Sequence, residues 1–389
     1  MDITIQPRLL RGNVSVPPSK SMAHRYLICA AMADNPTQLI CPETNADIEA
    51  TAQCLRALGA KIIPTETGYS VFPISNFPST ATLPCGESGA TLRFLLPIVG
   101  ALGIDATFLL EGRLPHRPLS PLWEEMERMG CRLSRPGENT IRCTGKLRQG
   151  QYSIDGGISS QFVSGLLFAL SLLPGSTLDV IGKQESTSYI AMTKAAMAFF
   201  RAPNYHSPDR VTVEGDWSSG AFWVAAAYLG SDGICIENLH DGSIQGDRAV
   251  LDLLPLLAKE RTAISASDIP DLIPILSVVA AANHGAVFTD IHRLRYKESD
   301  RVASVIAMIE SLGGKAEATE NTLTVHGTGL CGGKVDSRND HRIAMSAAIS
   351  ATVCKTPVTI LDAECVKKSY PNFWEDYYLL GGKYGPFLR

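Results

Sequence analysis

A chain of 389 residues is long enough for about two domains, each burying its own core. Its 45% hydrophobic and 19% charged content is that of a globular protein, and a net charge of −4 argues against nonspecific nucleic-acid binding, which needs a basic excess. There is no apolar run of about 18 residues to span a membrane, and the opening MDITIQPRLLRG lacks a signal-peptide pattern, so the chain reads as cytoplasmic. Ten cysteines are scattered without a C-x-x-C pair or a histidine at zinc spacing. That predicts reduced, idle thiols and no metal site.

In chain order, Met1 to Val16 alternates as strands. Pro17-Pro18 then stop the extended segment, and a hydroxyl residue can cap the helix that follows. Lys20, Ser21 and Arg25 fall on or beside its first turn, where open N–H groups and the helix dipole favour an anion. A second helix begins at Asn45 or Asp47, ends at Gly59, and leads to strands. The same construction returns. Short polar openings at Gly86-Glu87-Ser88-Gly89, Ser159-Ser160-Gln161, Asp216-Trp217-Ser218-Ser219, Ser267 to Asp271 and Asn339-Asp340-His341-Arg342 each precede an apolar run and then a β-rich segment. Six copies at a spacing of roughly 50 to 75 residues mark a repeated supersecondary unit of two helices and several strands, in the α/β or α+β class. The fourth copy is short, because the chain runs quickly to Asp268 and its strand pair is nearly missing. Two bundles of three helices, with N-termini converging on one cleft, would suit a substrate with several negative charges. No GxxxxGK[ST] loop is present and no GxGxxG follows a strand, so a nucleotide site lacks support.

Single motifs admit bland readings. Ser159-Ser160-Gln161 alone is an ordinary capped helix start, and Arg93 can as well brace the fold as touch a ligand. His341 can be a satisfied structural histidine, and Asp340 is expected to cap a helix or orient an arginine. Lys297 and Arg301 are four apart, and two cations on one helix face repel unless an anion lies between them.

Taken together, PPSKSMAHR, GESGATLRF, LPHRPL, ISSQF, IPD, RYKESDR, NDHRIAM and KKSYPNFW occur in an order and spacing that resemble the 5-enolpyruvylshikimate-3-phosphate synthases, over almost the whole chain. The related UDP-N-acetylglucosamine enolpyruvyl transferases open with a Lys-Asn pair and use a loop cysteine; Lys20-Ser21 stands here instead. The resemblance implies two similar lobes, residues 1–16 plus 215–389 and residues 17–214, each of three βαβαββ units and closing on substrate. It implies transfer of the enolpyruvyl group of phosphoenolpyruvate to the 5-hydroxyl of shikimate 3-phosphate, by addition and elimination, in a monomer without cofactor.

Carried over by motif, Ser21 and Arg25 would hold the shikimate carboxylate side, while Ser159, Ser160, Ser186 and Lys297 would take its 3-phosphate. Lys20 would border this site as well, and Gln161 and Tyr189 would line the ring. The phosphoenolpyruvate phosphate would meet Lys20, Gly89, Arg117 and Lys368, beside Gln161, and its carboxylate would face Arg301 and Arg342. Asp271 is a candidate base at the 5-hydroxyl and Glu298 a candidate proton donor to the methylene carbon, and the sequence leaves the division of labour among Asp271, Glu298 and Lys20 open. Lys20 and His341 are candidate donors to the leaving phosphate. Glu87 and Arg293 depart from the family pattern, each standing where an Asn is often seen. Another enolpyruvyl transferase, or a noncatalytic polyanion-binding module on the same scaffold, are the alternatives.

Overall fold

A computed structural model describes residues 1–386. The chain divides into two compact units, Pro18–Glu214 and Met1–Pro17 with Gly215–Arg389. Each has its own hydrophobic core.

The repeat is plainest where it is continuous in sequence. In the unit Pro18–Glu214, strand Thr80–Gly86, helix Gly89–Leu102, strand Asp105–Leu110, helix Leu122–Arg128 and hairpin strands Cys131–Ser134 and Thr140–Gly145 follow in order. The first two strands run parallel, and the hairpin joins the second one antiparallel through Thr140–Gly145. In the other unit, Thr262–Ser265, helix Ile273–Ala282, Gly285–Thr289, helix Arg301–Ser311, Lys315–Ala318 and Thr322–His326 repeat this path. Two further copies are complete only because a distant strand closes them. Arg210–Thr212 pairs parallel with Thr37–Ile40, and Ile3–Ile5 sits antiparallel between Val358–Leu361 and Tyr384–Pro386.

The remaining two copies are reduced. Each is a two-stranded parallel sheet with its helices and no hairpin: Gln151–Asp155 with Thr177–Ile181, and Arg11–Val14 with Gly233–Ile236. The sequence leads one to expect this of the fourth copy alone. The third is shortened too, because residues 200–209 run from helix Thr187–Phe199 straight to strand Arg210–Thr212, leaving no length for a hairpin.

Local chemistry explains several helix starts but not the first, where Ser19 precedes helix Lys20–Ala31 without a side-chain cap bond. Ser88, Ser159, Asp216 and Asp340 each accept a backbone N–H of the first helical turn with the side chain, as does Asn45 at the second helix. Helices Gly89–Leu102 and Ser160–Ser171 meet backbone to backbone at Gly165, where a Cβ would lie 2.1 Å from the Arg93 carbonyl oxygen. In the other unit Trp223 stacks on Phe373 at 5.1 Å, and its indole N–H donates to the Tyr370 hydroxyl at 3.1 Å. Eight of the ten cysteines are buried, and Cys235 and Cys331 are exposed.

Candidate active site

The predicted residues fall into two clusters, one in each unit. In the unit Pro18–Glu214, Lys20 opens helix Lys20–Ala31, and its Nζ pairs with Asp47 Oδ2 at 2.8 Å. Asp47 carries no motif and lies in the first turn of the next helix, so sequence reading offers it only as a helix start and not as a site residue. Arg25, one turn on from Ser21, is buried over the Phe94 ring. Its Nη1 donates to the Ser21 carbonyl oxygen at 2.6 Å, its Nη2 to that of Tyr189 at 2.8 Å, and its Nε to Thr193 Oγ1. Three of the residues expected at the shikimate carboxylate and ring are thus tied together. In this state the guanidinium serves two backbone carbonyls and the Thr193 hydroxyl, and burial brings its pKa down to about 10. Ser186 stands at the head of helix Thr187–Phe199 in a left-handed conformation, φ 54°, where its carbonyl accepts the Tyr189 N–H.

Next to this lies the Gly89 turn. Arg93 Nη1 donates to Gln161 Oε1 at 2.7 Å, and Arg93 Nη2 to the Pro118 carbonyl oxygen at 3.2 Å. Arg93 therefore braces the fold and orients Gln161, a candidate substrate contact. A Cβ on Gly89 would meet Arg117 Nη1 at 2.8 Å and Arg93 Nη1 at 3.0 Å, so both guanidiniums lie against the helix N-terminus. Glu87 packs on Gly112, whose Cβ position is 2.5 Å from the Glu87 carboxyl carbon. Behind these, a buried relay joins three helices: His24 Nδ1 to Thr51 at 2.7 Å, Thr51 to Thr91 at 2.6 Å, and Thr91 to Ser88 at 2.7 Å. Burial pushes His24 down to about 3, so its ring is neutral.

Because only the far ends of Arg117 and Arg93 crowd Gly89, a Gly89→Ala chain should fold normally. Its methyl should instead displace the Arg117 fork, raising the KM of an anionic ligand held there by about tenfold or more. An unchanged KM in steady-state kinetics would remove Arg117 from the site.

The second cluster surrounds Arg301, the first residue of helix Arg301–Ser311 and only 1% exposed. Its Nε donates to Asp340 Oδ2 at 3.0 Å, its Nη1 to Asp271 Oδ1 at 2.5 Å and its Nη2 to Glu298 Oε2 at 2.7 Å. Asp340 both caps helix His341–Ser350, accepting the Arg342 N–H, and orients Arg301. Lys297 and Arg301 do not share a helix. Lys297 ends the short helix His292–Tyr296, the Asp300 cap starts the next one, and the anion between the two cations is Asp271, 3.6 Å from Lys297 Nζ. Arg342 Nη2 reaches Asp271 Oδ2 at 3.3 Å. Burial by itself would raise Asp271, but Arg342, Lys297 and Arg301 hold it well below the usual carboxylate range. Burial draws Lys297 down to about 8, with Arg301 and Arg293 pushing the same way. His341 is buried at the first position of its helix. Lys368 Nζ donates to the Asn339 carbonyl oxygen at 3.3 Å, beside the same helix start.

Asp247 was not foreseen, since nothing in SIQGDR marks it. Buried against Asp271 and bonded by the Ser218 hydroxyl, it is raised from 3.8 to about 7 by desolvation and then by the Asp271 charge. Below pH 3.8 it is protonated folded or unfolded. Between there and about 7 only the folded chain keeps the proton, so it costs stability increasingly as pH rises through that window and evenly above it. The melting temperature of Asp247→Asn should therefore overtake the parent's as pH rises from 4 to 7. Parallel melting curves across that range would refute the assignment.

The sets expected for each substrate are divided. Ser159, Ser160, Ser186 and Tyr189 lie in the unit Pro18–Glu214 and Lys297 and Arg293 in the other; Lys20, Gly89, Arg117 and Gln161 lie in the first, and Arg301, Arg342 and Lys368 in the second. Among the described residues no group of three or more His, Cys, Asp or Glu side chains is arranged to hold a metal ion. What the two clusters share is cationic groups at helix starts, in a repeated α/β framework.

That framework is a known one. A solved structure of EPSP synthase from Acinetobacter baumannii superposes with a TM-score of 0.79 over 99% of this chain and 100% of its own, at 22% identity, which speaks for the fold. The family model for EPSP synthase (3-phosphoshikimate 1-carboxyvinyltransferase) matches residues 5–377. The chain belongs to the EPSP synthase family. Among its relatives, the 3-phosphoshikimate 1-carboxyvinyltransferase of Clostridium kluyveri is 36% identical over 417 residues, covering 98% of this chain and 97% of the relative. That of Clostridium beijerinckii is 37% identical over 425 residues, covering 98% of each. Both alignments are longer than this 389-residue chain, so both relatives carry residues that it lacks.

Proposed function

We propose that the chain transfers the enolpyruvyl group of phosphoenolpyruvate to the 5-hydroxyl of shikimate 3-phosphate and releases phosphate, drawing on both clusters. Asp271 ringed by Arg301, Arg342 and Lys297 is the observation that carries this reading. Each substrate brings a phosphate and a carboxylate, and Arg forks grip both kinds of group.

The ring also supplies a switch for the base. With three cations upon it, Asp271 accepts a proton poorly. Substrate anions arriving on Arg301, Arg342 and Lys297 weaken that hold, so the carboxylate becomes basic once the site is filled. Asp271 then takes the 5-hydroxyl proton while the oxygen bonds to C2 of phosphoenolpyruvate, and the double-bond electrons take a proton at C3 from protonated Glu298. In the elimination Glu298 recovers a C3 proton, the C2–C3 double bond reforms, and the C2–O bond to phosphate breaks. Lys20, Lys368 and Arg117 stabilise the departing charge, with Lys20 or His341 as proton donor. Ser21, Arg25, Gln161, Tyr189, Ser159, Ser160, Ser186 and Arg293 orient the shikimate ring and its phosphate.

Among the described residues no helix is long and apolar enough to cross a membrane. Two multiply charged substrates that do not cross a bilayer unaided fit an enzyme of the cytoplasm. The purified chain, given both substrates, should release inorganic phosphate and form a new enol ether visible by NMR. No release with both present, or equal release with phosphoenolpyruvate alone, would overturn the reading.

A further inference from the structure

Helices Lys20–Ala31 and Ala46–Ala57 are joined twice, at successive turns. Lys20 pairs with Asp47 at the first turn, and one turn further along each helix His24 bonds Thr51. Residues four apart share a helix face, so both links lie between the same two faces. The second link continues into a third helix. Thr51 Oγ1 lies 2.6 Å from Thr91 Oγ1, which lies 2.7 Å from Ser88 Oγ, the cap of helix Gly89–Leu102. His24, Thr51, Thr91 and Ser88 are each at most 1% exposed.

Hydrogen counting gives this chain one direction. The Thr91 hydroxyl donates to Ser88, whose oxygen also accepts the Thr91 N–H. A hydroxyl carries a single hydrogen, so Thr51 donates to Thr91, and His24 Nδ1 in turn donates to Thr51. Burial keeps the His24 ring neutral, with one N–H only. Nε2 is then a bare acceptor, buried and without a hydrogen-bond partner among the described residues. Leaving a buried polar atom unpaired costs stability, and an apolar side chain would fill the same space without that cost. Packing alone therefore does not account for an imidazole here.

We propose that His24 and Thr51 are positioning residues for Lys20, their one-way hydrogen-bond chain setting the start of helix Lys20–Ala31 against those of Ala46–Ala57 and Gly89–Leu102. The inference rests on the role proposed above for Lys20 at the departing phosphate. The Lys20–Asp47 pair joins two partly exposed side chains, one of them long, and by itself holds the ammonium group loosely. The His24–Thr51 bond behind it joins two buried side chains and keeps the two helices in register. Through Thr91 the same frame takes in the Gly89 start, against which Arg117 and Arg93 lie.

Two measurements test this. NMR spectra correlating ring nitrogens with protons, taken on the full chain labelled at histidine, read the His24 tautomer; its signals are those that shift in Thr51→Val. The expected ring carries hydrogen on Nδ1 and none on Nε2. Turnover is then compared in two variants, well below their melting temperatures. Thr51→Val keeps the side-chain shape but removes the hydroxyl, so kcat should fall about tenfold or more. Thr51→Ser keeps the hydroxyl but removes a buried methyl group, so it should melt lower yet hold kcat within about twofold of the parent. If Thr51→Val does not fold, Thr91→Val cuts the chain one bond further on and should give the same fall. A rate that merely follows stability across the variants, or hydrogen on Nε2 of His24, would overturn the proposal. A parent chain that forms no product from the two substrates overturns the proposed function instead, and the ring spectra still decide whether the chain of bonds exists.

Discussion

Lys20→Met should lower turnover by about a thousandfold or more while the protein melts within a few degrees of the parent. Two magnitudes decide this. The Lys20–Asp47 pair is 2.8 Å long but about a fifth exposed on both sides, and such pairs contribute at most about 1 kcal/mol. Methionine keeps the stem, so the helix start loses little packing. The leaving phosphate, by contrast, would lose both a charge and a proton donor that act only as it departs, and single preorganised groups of this kind are worth about a hundredfold to a thousandfold. Asp47→Asn supplies the control: it frees Lys20 from its partner without removing the ammonium group, so it should cost far less activity. Calorimetry and single-turnover phosphate release together check the pair. Near-normal release by Lys20→Met would end its catalytic assignment.

Much of this was legible because short polar openings and apolar runs obey local rules. Asn45, Ser88, Ser159, Asp216 and Asp340 cap helices where their residue type says they should. The motif residues gather on those helix starts for the same reason. What the sequence hid is long-range. Nothing near Ile3 announces that this strand will close a sheet with Val358–Leu361, or that Arg210–Thr212 will complete the first copy. Pairing of Lys20 with Asp47 and of Arg301 with Asp271 likewise joins residues from separate elements. The spacing of Lys297 and Arg301 misled, because a four-residue interval means one helix face only where no cap intervenes, and Asp300 is a cap.

The carboxylates around Arg301 should separate by stability and by activity in different orders. Asp340 is fully buried, caps a helix and holds Arg301 through Nε, so Asp340→Asn should destabilise most, by about 3–5 kcal/mol. Asp271, 17% exposed, shares its charge among three cations, and Asp271→Asn should cost about 1–3 kcal/mol. Glu298 is 26% exposed, and Glu298→Gln should cost about 1 kcal/mol or less. Kinetics should reorder them. Asp271→Asn removes the base, so turnover should fall by orders of magnitude. It also removes the anion that competes with substrate for Arg301, Arg342 and Lys297, so shikimate 3-phosphate should bind as tightly as before or more tightly. A merely structural carboxylate would do the reverse, loosening binding along with the fold. Glu298→Gln keeps the fold and binding but cannot exchange protons at C3. Deuterium from heavy water should then enter the methylene group of phosphoenolpyruvate far more slowly during turnover. If Glu298→Gln exchanges at the parent rate, Lys20 becomes the acid at C3. If Asp271→Asn weakens binding while sparing turnover, Asp271 is a brace for Arg301 and the base lies elsewhere.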